Sequence, residues 1–177
     1  GAGTHEPVPE RSIRTVKERD RCLHAHVPWH IPHMLIKYAV MWVVSRLNIV
    51  PRLHSASARE NFYGTKLNYK DLQLMFGDYC QVFRSPKDSK LVRTMRCVGA
   101  IALIPTENGR GTWYFFNLNT KLVITGDKWV KCNVTDEVIE YMNRLYVSEE
   151  AIYNPVPVMD APEVARHEPP VGIPRMD

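Results

Sequence analysis

The stretch PERSIRTVKERDR, residues 9–21, has the spacing of an amphipathic helix, and the predicted fold begins with it. Proline is tolerated at the first position of such a helix because the amide hydrogen that it lacks would have no acceptor there. A helix places residues separated by three or four positions on one face. We therefore expect a first helix that extends to about residue 24. Four charged side chains share one of its faces: Glu10, Arg14, Lys17 and Arg21.

This charged face has two interpretations. In the first, Glu10 binds a hard divalent cation and the three basic residues neutralise the phosphates of a nucleic acid, as in a metal-assisted phosphoryl-transfer site. In the second, the face is an ordinary solvated helix surface on which carboxylates pair with arginine and lysine side chains. Taken by itself, the stretch favours the second interpretation.

The charge of the chain is unevenly distributed. The full sequence has 23 Lys and Arg against 19 Asp and Glu, a net charge of +4. Residues 147–177 contain six of the acids and two of the bases, which leaves 21 bases and 13 acids, a net of +8, in residues 1–146. A basic folded part favours a polyanionic partner such as DNA.

The composition is that of a globular protein, with 45% hydrophobic and 24% charged residues in 177. The four cysteines show no CxxC pairing, which favours reduced thiols in an intracellular compartment. No signal peptide is recognisable, and the longest apolar run, residues 39–44, is too short to cross a membrane. Because the sequence starts without methionine just before a strong helix, we expect it to be a piece of a longer polypeptide.

A group of histidines follows the first helix and raises the possibility of a metal site, because imidazole binds zinc well. Pro28 and Pro32 interrupt any helix there, so no single face collects the histidines. The only cysteine nearby is Cys22. A connecting loop is therefore the preferred interpretation of His24, His26, His30 and His33.

A second, strongly apolar helix is predicted after Pro32. Residues from Met34 to Ser45 recur at three- and four-residue steps, and alanine and valines occupy the positions between them. Because apolar side chains nearly surround this helix, we expect it to be buried and to end at Asn48. The capping box SARE, residues 57–60, predicts a short third helix.

From Phe76 the hydrophobic pattern changes to short apolar runs separated by turns. The loop NGRG, residues 108–111, supplies residues that tolerate positive φ. Five short strands of this kind are typical of a small antiparallel barrel, SH3-like or OB-like. A helix from Asp136 to about Leu145 and a proline-rich tail, residues 147–177, are predicted to follow. We expect the strands at about residues 79–83, 96–104, 112–118, 121–125 and 129–132.

Basic and aromatic side chains alternate along the predicted barrel. The cations could follow a phosphate backbone or could simply keep the protein soluble. Trp113 and Trp129 likewise remain open to two interpretations, rings that stack on bases or rings that fill the barrel core. The basic residues that we select as candidate DNA contacts are Arg93, Arg96, Lys128 and Lys131.

The segment HEPVPERSIRTVK, residues 5–17, resembles the sequence around the last catalytic glutamate of retroelement integrases, most closely those in Pol polyproteins of copia-type LTR retrotransposons. The resemblance spans about residues 5–145, and the order and spacing of the matching stretches make it specific. The later stretches are LNIVP (47–51), SARENFYG (57–64), FGDY (76–79), GAIAL (99–103), FNLNT (116–120) and TGDKW (125–129).

The resemblance implies an α+β chain in four parts. Residues 1–56 would be the C-terminal helices of an incomplete RNase H-like catalytic core, and residues 57–75 would be a helical linker. Residues 76–146 would form an SH3-like barrel of five antiparallel strands plus a helix. Residues 147–177 would be an acidic, proline-rich linker or tail.

The resemblance also implies a part in DNA integration. In that family two aspartates and one glutamate hold two Mg²⁺ ions, which activate water and then a DNA 3′-hydroxyl. Glu10 matches the glutamate, which is both catalytic and metal-binding, and Arg14 and Lys17 match helix positions that face the DNA end. Arg21 extends that face. The implied partners are DNA, the upstream integrase segments and further copies in an oligomer, with no membrane partner. The implied location is the nucleus.

The two aspartates of that family would lie upstream of Gly1. One carboxylate cannot hold two Mg²⁺ ions, so the chain as given is not expected to catalyse strand transfer by itself. The alternative is a non-catalytic module, derived from a retroelement, that binds DNA or protein. Two aspartates in the upstream coding sequence would favour the integrase, and an in-frame start just before Gly1 would favour the module.

Overall fold

A computed structural model of the chain describes residues 7–51, 55–64, 68–83, 96–108 and 110–153. Four α-helices, one 3₁₀ turn and five strands are found in this part of the chain, which confirms the α+β class. In chain order the elements are α1 (Pro7–His26), α2 (His33–Ile49), α3 (Ala58–Tyr63), the 3₁₀ turn (Tyr69–Leu72), β1 (Tyr79–Phe83), β2 (Cys97–Pro105), β3 (Trp113–Asn117), β4 (Val123–Gly126), β5 (Trp129–Lys131) and α4 (Asp136–Tyr153).

The five strands form one antiparallel sheet in the order β4-β3-β2-β1-β5. The chain runs through β1 to β4 as a meander, and β5 then returns to pair with β1, where Trp129 lies opposite Val82. The observed strand bounds lie within two residues of those predicted, so the prediction of five antiparallel strands is confirmed. The more detailed assignment, an SH3-like barrel, stays a prediction.

Side chains of β2 enter two different hydrophobic clusters because successive residues of a strand point to opposite faces of the sheet. Ile101 and Leu103 pack with residues of α1, α2 and α4. Ala100 and Ala102 face the other way and pack with Trp113, Phe115 and their neighbours. The near-continuous apolar run of β2 is therefore buried on both of its faces.

Helix α2 packs on the sheet through one stripe of residues. Leu35, Ala39 and Val43 follow one another at four-residue steps and are at most 2% exposed. On other sides of the helix, Met41 is 52% exposed and Val44 is 38% exposed. The expectation that α2 is buried nearly all round is therefore wrong, because the sides of the helix that carry Met41 and Val44 are not covered in the described structure.

Helix α4 extends eight residues beyond its predicted end at Leu145, to Tyr153. Its buried residues continue at helical spacing beyond Leu145, as far as Glu149. The hydroxyl of Tyr141 also donates a hydrogen bond of 2.7 Å to the carbonyl of Leu118, next to β3. The predicted tail is thus helical over residues 147–153, because its first part still packs against the rest of the chain. Residues 154–177 lie outside the described part.

A buried charge network connects the helices to the sheet. The Arg59 guanidinium of α3 lies 3.5 Å from the carboxylate of Asp71 and 3.3 Å from that of Glu107. Arg46 of α2 donates hydrogen bonds to the carbonyls of Asp71 and Leu74, at 2.8 and 3.1 Å. Burial raises the pKa of Asp71, and the positive charge of Arg59 opposes that rise. Breaking a buried pair by removing one partner is costly, so this network fixes α2 and α3 relative to the 3₁₀ turn.

We expect Leu35→Ala to lower the free energy of unfolding by about 2–5 kcal/mol, because it leaves a cavity where α2 meets the sheet. Met41→Ala, on an exposed side of the same helix, should change it by no more than about 0.5 kcal/mol. Urea unfolding followed by far-UV circular dichroism and tryptophan fluorescence measures both variants. Separate transitions for the helices and the sheet would contradict a shared core.

Candidate nucleic-acid interface

The predicted charged face of α1 is exposed, and all four of its residues lie on the helix: Glu10, Arg14, Lys17 and Arg21. Glu10 lies in the first turn, where the helix dipole favours a carboxylate. The opposite side of α1 carries the buried Leu23. Arg14 Nε lies 3.0 Å from Glu18 Oε1, a surface pair that contributes little to stability. The helix therefore presents cations to solvent, and one of them is already paired.

The described residues do not form a site for Mg²⁺. No group of three or more His, Cys, Asp or Glu that could hold a metal ion is found in the described ranges. Glu10 therefore has no second and third protein ligand there, and Mg²⁺ prefers to be held by carboxylates in a defined octahedral geometry.

The histidines after α1 contact aromatic rings of α4. His30 and His33 both stack on Tyr146, with ring centroids 5.2 and 5.9 Å away. The side-chain oxygen of Asn143 accepts a hydrogen bond of 2.9 Å from the backbone N–H of His30. The prediction of a connecting loop for the four histidines is wrong except at His30, because His24 and His26 lie within α1 and His33 is the first residue of α2. The contacts of His30 and His33 hold the segment between the two helices against α4.

Two adjoining cavities, of about 740 and 300 Å³, form a cleft beside β1, β4 and β5. Both cavities are lined by Lys70, Phe83, Asp127 and Lys128. Arg110 lines the larger cavity and Trp129 the smaller. We call this the basic cleft and define it by the residues suited to a polyanion with aromatic bases: Lys70, Phe83, Arg110, Lys128 and Trp129.

Backbone contacts hold the basic residues of this cleft in place. The N–H of Phe83, at the end of β1, donates a hydrogen bond of 3.0 Å to the carbonyl of Lys128. The indole N–H of the buried Trp113 donates to the carbonyl of Lys70, at 3.1 Å. A Cβ added to Gly111 would lie 2.5 Å from Cδ of Lys70, so the missing side chain leaves room for the lysine stem. The cleft is therefore positioned by the sheet and not by loops alone.

The aromatic rings in and next to the cleft differ in how accessible they are to a stacking base. Trp113 is fully buried, so it belongs to the core and does not stack on a base. Trp129 is half-buried, and its ring centroid lies 5.7 Å from that of the core residue Phe115. Phe83 is 48% exposed and offers the most accessible ring. An exposed ring beside cations is the arrangement that single-stranded nucleic acids use for stacking and phosphate contact.

The structure groups only some of the basic residues selected from the sequence. Arg96 is exposed and directly precedes Cys97, which pairs with Phe83, so it lies at the same end of β1 as Lys128. Lys131 lies near the other end of β1, and its Nζ is 2.8 Å from Asp78 Oδ2. Arg93 lies outside the described residues. Lys70 and Phe83 also line the cleft, and the sequence carries no signal for them, because neither stands out in the local pattern.

Comparisons with protein-family models, curated proteins and solved structures find no match to this chain. Among the described helices, none is both long enough and apolar enough to cross a bilayer.

Proposed function

We propose that this chain is a nucleic-acid-binding part of a retroelement integrase, made of the end of the RNase H-like core and an SH3-like barrel. The observation that carries the DNA-binding part is the basic cleft, where Lys70, Arg110 and Lys128 line the same cavity as the exposed ring of Phe83. When lysine and arginine side chains neutralise phosphates, the counterions condensed on the nucleic acid are released. This release gives affinity without sequence preference.

Two further observations support the integrase assignment. The sequence resemblance covers most of the described residues, and an antiparallel meander in which β5 returns to pair with β1 is a topology that suits an SH3-like barrel. In the full integrase, Glu10 would serve with upstream aspartates to hold Mg²⁺, and DNA and further copies of the protein would be its partners in the nucleus.

The second candidate is a non-catalytic, DNA-binding or protein-binding module derived from a retroelement. One observation favours it: α1, α2 and α4 bury apolar residues together with Ile101, Leu103 and Phe116 of the sheet. The helices at the start of the chain therefore share a core with the sheet that follows them, and they do not depend on another sheet for that packing.

We expect the affinity for DNA to fall steeply with salt, and the double variant Arg110→Gln, Lys128→Gln to reduce the salt slope by about two, one for each lost phosphate contact. The matched control, Lys37→Gln with Arg144→Gln, removes one lysine and one arginine from exposed positions on α2 and α4, away from the cleft. Fluorescence anisotropy of labelled single- and double-stranded DNA at several salt concentrations measures both. Binding that does not respond to salt, or equal loss in the control, would contradict the proposal.

The exposed face of α1 provides a separate test. If it contacts phosphates, the double variant Arg14→Gln, Lys17→Gln should also weaken DNA binding and lower the salt slope by about two. The same assay and the same control pair apply. An affinity equal to that of the unmodified chain would remove α1 from the interface and leave the basic cleft as the proposed site.

The integrase and the module differ in their dependence on the upstream segment. We expect that the chain joined to its upstream coding segment performs Mg²⁺-dependent strand transfer on DNA. Changing Glu10 to Gln should abolish that activity, because the amide cannot supply a charged metal ligand. The DNA-binding affinity of this variant, which keeps every basic residue, serves as its control. An in-frame start just before Gly1, or no strand transfer by the joined chain, would favour the module. Activity that survives the change would contradict the proposed role of Glu10 as a metal ligand.

A further inference from the structure

The basic cleft contains an unpaired carboxylate among its cations. Asp127 lies in the turn between β4 and β5, is exposed and lines both cavities of the cleft. In the described part of the chain its carboxylate forms no ion pair and no hydrogen bond, although Lys70 and Arg110 line the larger cavity with it. Asp78, in contrast, is paired with Lys131 at 2.8 Å. The carboxylate of Asp127 is therefore available to a ligand.

A free carboxylate lowers the affinity of a site for a polyanion unless it meets a hydrogen-bond donor. Phosphate oxygens are negatively charged acceptors, so they repel Asp127. In a DNA strand, apart from the terminal hydroxyls, the donors are the N–H groups of the bases. We therefore expect Asp127 to face a base, while the cations of the cleft face phosphates.

The exposed ring of Phe83 is the surface on which such a base can stack. Phe83 lines the same two cavities as Asp127, and its N–H donates a hydrogen bond of 3.0 Å to the carbonyl of Lys128, the next residue after Asp127. A base on this ring thus has its edge in the space that Asp127 lines. In a duplex that edge is occupied by base pairing, so the arrangement suits a single strand.

Guanine is the base whose edge best matches a carboxylate. Its N1–H and N2–H donors lie side by side, so each can meet one of the two carboxylate oxygens in a charge-assisted hydrogen bond. Adenine and cytosine offer an amino group beside a ring nitrogen that is an acceptor. Thymine offers one N–H between two carbonyls. In these three bases an acceptor faces the carboxylate and repels it.

We propose that the basic cleft binds single-stranded DNA with an unpaired guanine stacked on Phe83, and that Asp127 accepts hydrogen bonds from N1–H and N2–H of this guanine. The inference rests on the proposed DNA-binding function and adds a base preference to it. Gln73 lines the smaller cavity, and its neutral amide would suit adenine instead. Asp127 is the stronger candidate, because it lines both cavities and is charged.

The test compares three DNA nonamers: one of thymidines only, one with a central guanine and one with a central adenine. Fluorescence anisotropy on the unmodified chain at low salt should show the guanine nonamer binding at least about fivefold more tightly than the thymidine nonamer, the effect of one bidentate contact. It should also bind more tightly than the adenine nonamer. Equal affinities, or a preference for adenine, would overturn this inference and leave DNA binding intact. If no nonamer binds, the proposed function fails with it.

The variant Asp127→Asn removes the charge and keeps the size of an exposed side chain, so we expect little effect on folding. The preference for guanine should fall below about twofold, because a neutral amide forms weaker bonds and turns a donor toward the base. The thymidine nonamer should bind more tightly than before, because a repulsion is lost. Glu140→Gln, which removes an exposed carboxylate of α4 outside the cleft, is the control and should keep the preference. A guanine preference that survives Asp127→Asn would overturn the role of Asp127.

Discussion

The packing of one α2 stripe against the sheet is the interaction on which the rest of this structure depends. Leu35, Ala39 and Val43 share a cluster with Ile101 and Leu103 of β2, a strand that is buried on both faces. That contact determines which side of α2 faces inward. It also leaves the exposed side of the helix beside α3.

Polar contacts fix the orientation that this hydrophobic packing allows. Arg46 extends from α2 to the carbonyls around the 3₁₀ turn, and Arg59 extends from α3 to Asp71 and Glu107. Hydrophobic burial is non-directional, whereas hydrogen bonds and ion pairs depend on geometry. The 3₁₀ turn held by these contacts also carries Lys70, so the same network that joins the helices to the sheet positions one cation of the basic cleft.

The chemistry of the basic cleft follows from its position on this framework. The basic cleft lies beside sheet strands, with Phe83 and Lys128 joined through their backbones, and it suits a polyanion with aromatic bases. A long phosphate backbone suits this site, because several cations line it.

The sequence by itself determined the features that depend on local chemistry. Alternating apolar residues and glycine- or asparagine-containing turns located all five strands, and the capping box of Ser57 and Glu60 is present with both of its hydrogen bonds. Helical spacing also placed the charged face of α1 on one exposed helix. These features could be predicted because propensity, turn geometry and capping act over a few residues.

Only the tertiary structure decided which surfaces are covered and which side chains meet. The buried stripe of α2, the extra turns of α4, the pairing of Lys131 with Asp78 and the meeting of Lys70 with Phe83 and Lys128 all depend on contacts between residues far apart in the sequence. An apolar helix has no local signal that selects its inner face, and a surface lysine has none that reveals its partner. The approach of another element makes that choice, because burial is favourable only where a complementary surface exists.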